Sequence, residues 1–115
     1  MSNINELTER VVKFRDERDW KQFHNLKDCA LSLTLEATEV LEHFQWKNEK
    51  EVEEYVKTNK GDIAEEVCDV LSWVLILAHD LEIDLAESFE KKIRQNEGKY
   101  PIAKARGKSL KYNQL

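Results

Sequence analysis

Proline occurs once in this chain and glycine three times. Little in it therefore interrupts a helix, and no stretch alternates polar and apolar residues for long, which leaves strands without support. Cysteine is nearly as scarce. Cys29 and Cys68 lie far apart, each inside an apolar helical pattern, with no His or Cys neighbour at zinc-ligand spacing, so two buried thiols are expected rather than a metal site. No apolar run is long enough to span a bilayer. The opening "MSNINELTERVV" lacks a basic region followed by an apolar stretch, so neither a secretory signal nor an anchor is visible and a cytoplasmic protein is expected.

What is present suits one domain over residues 1–115: 13.6 kDa, with 41% hydrophobic and 36% charged residues. That balance is too apolar for a disordered chain and too charged for a membrane protein. The net charge of −5 conceals an asymmetry, because residues 91–115 carry eight cations against Glu97 and hence +7, leaving −12 on residues 1–90. An acidic body repels a polyphosphate unless cations intervene, whereas the basic tail, about 100–115, attracts one or simply stays solvated. Nucleic acid is not an expected partner, since the positive surplus is confined to one end.

Apolar periodicity predicts helices throughout. A first helix, about 5–18, takes its spacing from Leu7, Val11, Val12 and Phe14. The segment "DERDWKQFHN" breaks the period. Asn25 caps a second helix, with Asp28 at its third position, that reaches about Trp46. A short charged helix, about 50–56, leads to a turn at "TNKG", where Asn59 and Gly61 are turn residues, and a long helix runs from about Asp62 to Leu81. Asp84 and Glu87 open a last helix ending near Asn96, before Gly98 and Pro101, and the remainder is expected as loop or extended tail. The expected class is all-α, a bundle of four to five helices.

Placed at about 100° per residue, Leu33, Ala37, Val40 and Phe44 form one apolar stripe on the second helix, with Glu36 and Glu39 bordering it. Ile63, Val67, Val70, Val74 and Leu77 form the stripe of the long helix, bordered by Glu66 and, about 60° further round, Asp69. Two helices thus each present an acid pair spaced i, i+3. Carboxylates brought together without a counter-charge disfavour one another's ionisation, and no basic residue except Lys27 lies on those flanks. A hard divalent cation, Mg²⁺ with Mn²⁺ as a substitute, matches oxygen ligands that share it with phosphates. Acids at this spacing also decorate solvated helix faces. A di-iron site requires Glu-x-x-His pairs, and His43, four residues after Glu39, does not supply one.

The segments "ERDWKQFHN", "LEATEVLEHFQW", "EEVCDVLSWVL", "KIRQNEGKYP" and "ARGKSLKY", in this order, resemble the MazG-like all-α nucleoside triphosphate pyrophosphohydrolases, in particular their dCTP pyrophosphatase branch. The resemblance implies Mg²⁺-dependent hydrolysis of a (deoxy)nucleoside triphosphate, dCTP or a modified dNTP, to monophosphate and pyrophosphate, a house-cleaning role in the nucleotide pool. It implies Glu36, Glu39, Glu66 and Asp69 as metal ligands and Glu42 as a supporting acid. By the chemistry of a metal-activated water, which needs a carboxylate to take its proton, Glu36 and Glu39 are the catalytic pair and Glu39 the general base. Trp20, Phe23, His24, Trp46 and Trp73 would face the nucleoside, and Lys92, Asn96, Lys99 and Tyr100 match the segment near the phosphates. Val11 stands where dCTP-preferring relatives carry an imidazole-bearing residue, so cytosine preference is the weaker inference; Thr38 stands where Gly or Ala is frequent, which alters packing slightly and leaves the metal site intact.

Read from the residues alone, Phe23 and Trp73 also suit a core and His24 also suits a structural hydrogen bond. Two other readings stand beside the enzyme: a non-catalytic helical interaction protein, and a relative of dUTP or phosphoribosyl-ATP pyrophosphohydrolases. A short bundle with long apolar helices and three Trp is expected to cover its remaining face with a copy of itself, as a homodimer or homotetramer.

Overall fold

A computed structural model describes residues 2–115, and every described element is helical. The chain divides into two compact units, Met1–Glu82 and Ile83–Leu115, each taken by itself below.

The first unit holds three helices. Helix α1 spans Ile4–Glu17 and is capped by Asn3, whose side chain accepts from the Glu6 amide. It stops at a tight turn in which Asp19 takes a positive φ of 54°, followed by a single 3-10 turn at Lys21–Phe23. Helix α2 spans Leu26–Glu42, capped as expected by Asn25, whose side chain accepts from the Asp28 amide at 2.8 Å. It ends four residues earlier than the apolar pattern suggested: the Phe44 and Gln45 amides both close onto the Leu41 carbonyl at 2.9 Å, curling the segment up to Trp46 into turns.

Helix α3 is the main departure from expectation. It runs unbroken over Glu49–Asp80, 32 residues, where a short helix, a turn and a long helix were expected. Its start is fixed by a capping box in which the Asn48 side chain accepts from the Glu51 amide while Glu51 accepts from that of Asn48. Asn59 stays in the helix by donating its side-chain amide to the Tyr55 carbonyl at 2.9 Å, and a Cβ placed on Gly61 would meet nothing within 4 Å. A glycine inside a helix costs about 1 kcal/mol relative to alanine, which packing along the rest of the helix offsets.

α3 is the spine of this unit, with α2 packed along it and α1 against it. Two partners bury two flanks, so the single stripe drawn on a wheel does not hold. Leu75, Ile76 and Ala78 near the end of α3, with Cys29, are the buried apolar residues among those described, whereas Val67 is 49% exposed. Ala37 and Cys68, both expected inside, are exposed as well.

In the second unit α4 spans Leu85–Lys99, capped by Asp84, whose side chain accepts from the Glu87 amide. It continues through Gly98, three residues beyond the expected end, because Pro101 forbids the helical conformation only from the residue before it. The expected loop or extended tail instead contains α5, Ile102–Ala105, and a 3-10 turn at Tyr112–Gln114. No helix among the described residues is long and apolar enough to cross a membrane.

Candidate functional site

The turn after α2 folds the chain back, so the carboxylates of α2 and α3 meet. Glu36 is half-buried, and its Oε2 is shut off from solvent with no hydrogen-bond partner. Desolvation pushes the Glu36 carboxyl above its ordinary range; a hydrogen bond to Glu39 in the protonated form and the charges of Glu39, Asp69 and Glu66 push it the same way. Four carboxylates from two helices therefore share one electrostatic environment, uncompensated by any lysine or arginine ion pair to these groups among the described residues.

Glu66 is held from outside the cluster. His43, the residue that closes α2, directs Nε2 at Glu66 Oε2 and Nδ1 at the Tyr55 hydroxyl, 2.5 Å away. Lys47 donates to the His43 carbonyl at 2.8 Å, and its ammonium stands 4.1 Å above the centre of the Tyr55 ring. Among the described residues no three His, Cys, Asp or Glu side chains stand as a ready-made metal shell. The donor set nevertheless suits a hard cation that keeps several waters, being all-carboxylate, with one orphaned oxygen and one member oriented by an imidazole.

Asp69 also lines a cavity of about 650 Å³ bounded by α1, the residues on either side of the 3-10 turn, and α3. Trp20, His24, Asp69 and Trp73 all line it, Asp69 alone of the four carboxylates. The His24 ring lies 5.0 Å from that of Trp73, tilted by 59°, and its Nδ1 is buried without a partner. Burial, then the nearby Arg15 charge, lowers the His24 pKa against an opposing pull from Asp80, so the imidazole is uncharged at neutral pH. Val11 supplies an apolar patch of wall.

The remaining expected site residues are distributed differently. Phe23, 66% exposed, and Trp46, 86% exposed, do not line this cavity. Lys92, Asn96, Lys99 and Tyr100 belong to the second unit, where the Lys99 ammonium lies 5.0 Å from the centre of the Tyr112 ring and Tyr100 meets Tyr112 edge-on at 6.2 Å. Two features escaped sequence reasoning. Arg15 is the one fully buried charged residue among those described, donating Nη1 to Asp80 at 2.8 Å and Nε to Asp16 at 3.2 Å. Its position eight residues after Leu7 and four after Val11 places it on the apolar stripe of α1 and was a usable signal. His43 and Tyr55 were hidden by the break drawn through α3. In one continuous helix Tyr55 and Glu66, eleven residues apart, fall on the same face, about 20° apart.

Fold and site together define an all-α chain that gathers carboxylates from two helices beside an aromatic cavity. Comparison with known proteins agrees: the family model described as MazG-like family matches residues 31–115, and the chain belongs to that family. It is 34% identical over 106 residues to mouse dCTP pyrophosphatase 1, and 35% identical to the human protein of that name. Each alignment covers 90% of this chain and 62% of the relative, so the chain spans about three fifths of their length. The crystal structure of a pyrophosphatase from Archaeoglobus fulgidus superposes with a TM-score of 0.81 at 37% identity, over 88% of this chain and 94% of that one.

Proposed function

We propose that this chain is a metal-dependent nucleotide pyrophosphohydrolase that cleaves a (deoxy)nucleoside triphosphate between the α and β phosphates, releasing the monophosphate and pyrophosphate. The observation that carries the reading is the set of Glu36, Glu39, Glu66 and Asp69, close enough for the other three to act on the Glu36 carboxyl, with an orphaned Glu36 oxygen and with Asp69 also lining an aromatic cavity. Four neighbouring carboxylates without a lysine or arginine partner are unfavourable alone and become favourable around a divalent ion and a polyphosphate. Relatives named dCTP pyrophosphatase and pyrophosphatase support the reaction class.

In this reading the four carboxylates hold Mg²⁺, or Mn²⁺ in its place. Bound there, the cation would neutralise phosphate charge and make a coordinated water more acidic. Glu39, the more exposed member of the α2 pair, takes the proton of the attacking water. Trp20 and Trp73 provide apolar faces for the base, and His24, uncharged and with a free Nδ1, offers it a hydrogen bond. The preferred nucleotide is dCTP or a modified dNTP. The assignment of Lys92, Asn96, Lys99 and Tyr100 to the phosphates, and of Phe23 and Trp46 to the nucleoside, rests on the sequence resemblance alone. Leu31 and Leu35 stand 55% and 56% exposed one turn apart on α2, a strip suited to a second copy in a homodimer or homotetramer. A cytoplasmic location belongs to the same proposal.

Pyrophosphate release from a panel of nucleoside triphosphates with Mg²⁺ tests it. Glu36→Gln and Asp69→Asn should each abolish turnover, and the panel identifies the base and sugar. Undiminished turnover in those variants means the site is wrong, and no turnover by the unaltered protein on any triphosphate leaves a helical interaction protein as the better reading.

A further inference from the structure

Glu66 is the one carboxylate of the cluster with a side-chain partner from another helix, and that partner is itself held at its far end. The ring of His43 bridges the two residues of α3 that flank it: Tyr55 at Nδ1, 2.5 Å away, and Glu66 Oε2 at Nε2. Tyr55 and Glu66 are eleven residues apart, about 16 Å along a helix at 1.5 Å per residue, farther than their side chains can span alone. The imidazole, contributed by the residue that caps the end of α2, closes that gap. Its side chain is only 11% exposed and that of Glu66 28%, so the bonds are shielded from competing water.

We propose that Tyr55 and His43 form a relay that positions Glu66 for cation binding, an inference that rests on the function proposed above. An ionised carboxylate can only accept a hydrogen bond, so Nε2 must carry a hydrogen whether or not Nδ1 does. The Tyr55 hydroxyl can donate or accept and therefore satisfies Nδ1 in either case. With Oε2 engaged by His43, Oε1 keeps all its lone pairs for a cation, and the rotamer freedom of a glutamate is reduced before any ligand arrives. Lys47 secures the arrangement by gripping the His43 carbonyl at 2.8 Å while lying over the Tyr55 ring, which ties the end of α2 to α3. Tyr55 and His43 are positioning residues. Neither is required to touch substrate.

The first readout needs no metal. In ¹⁵N-histidine-labelled, metal-free protein, the His43 Nε2–H should appear in a proton–nitrogen spectrum as a slowly exchanging signal, and Tyr55→Phe, which removes a single oxygen, should speed its exchange. The second readout is binding of Mn²⁺ alone, followed by electron paramagnetic resonance. Loss of an outer partner of a metal ligand weakens binding by about 10–100-fold. His43→Ala should show that loss, Tyr55→Phe a smaller one, and His43→Gln, whose amide still donates, should recover part of it. Turnover by His43→Ala should rise again as Mg²⁺ is increased, which a collapsed site would not allow, and a circular dichroism melt confirms folding. A bare Nε2 in the metal-free protein overturns the relay. So does Mn²⁺ binding by Tyr55→Phe and His43→Ala that equals the unaltered protein. Failure of the unaltered protein to bind Mn²⁺ would instead bring down this inference and the proposed function together.

Discussion

Asp80→Asn isolates the buried ion pair of the first unit. Arg15 is 1% exposed and reaches the Asp80 carboxylate at 2.8 Å; the Asp80 side chain is itself only 12% exposed. Desolvation is the largest influence on Arg15 and opposes its charge, but the hydrogen bonds and charges of Asp80 and then Asp16 outweigh it, so the guanidinium pKa is held above its ordinary value. Removing one partner of a buried pair leaves an uncompensated charge and costs about 3–5 kcal/mol. A domain of this size has roughly 6–17 kcal/mol in total, from about 0.05–0.15 kcal/mol per residue. Asp80→Asn should therefore remove about a sixth or more of the stability, lowering Tm by about 12–20 °C at about 4 °C per kcal/mol. Asp16, half-exposed, is a control: Asp16→Asn should cost under about 1 kcal/mol. Urea denaturation at fixed protein concentration measures both. Replacing the two partners together by Arg15→Met and Asp80→Leu should recover most of the loss, because the buried charge is gone. A cost below about 1 kcal/mol for Asp80→Asn, or a double variant no better than the single one, would refute the reasoning.

Two further expectations concern backbone and pH. Gly61→Ala should stabilise the protein by about 0.5–1 kcal/mol, read as a higher urea midpoint at unchanged slope, since the site is helical and open and alanine restricts the unfolded chain; a destabilised variant would mean α3 is bent or broken there. His24 titrates below its ordinary 6.5 in the folded chain. The unfolded chain then binds the extra proton first, so its contribution to stability is complete above 6.5 and is lost as pH falls through the lowered folded value. Urea midpoints compared at neutral and mildly acidic pH should fall more steeply for the unaltered protein than for His24→Asn, and equal slopes would contradict the burial assigned to His24.

The elements that sequence and structure agree on are those governed by local chemistry. Asn25 and Asp84 cap α2 and α4 as their spacing to Asp28 and Glu87 indicated, because a cap needs only a short acceptor and an amide three residues on. Glu36, Glu39, Glu66 and Asp69 could be grouped as candidates because the i, i+3 spacing on each helix is a local property. The break expected at Asn59–Gly61 was wrong for a related reason: turn propensity is a local preference of about 1 kcal/mol, and the packing of α2 and α1 along α3 exceeds it. Cys29 and Cys68 make the same point. Both sit in apolar patterns, yet only Cys29 lies on a flank that another helix covers.

The order of residues alone thus determined the all-α class, the caps of α2 and α4 and the supply of carboxylates, since hydrogen bonds and periodicity within a few residues decide those. Tertiary structure decided which flanks are covered, that Arg15 finds Asp80, 65 positions away, and that His43 stands between Tyr55 and Glu66. Those pairings depend on where separate helices come to lie against one another. A side chain's final partner is set by that packing, which short-range spacing does not encode.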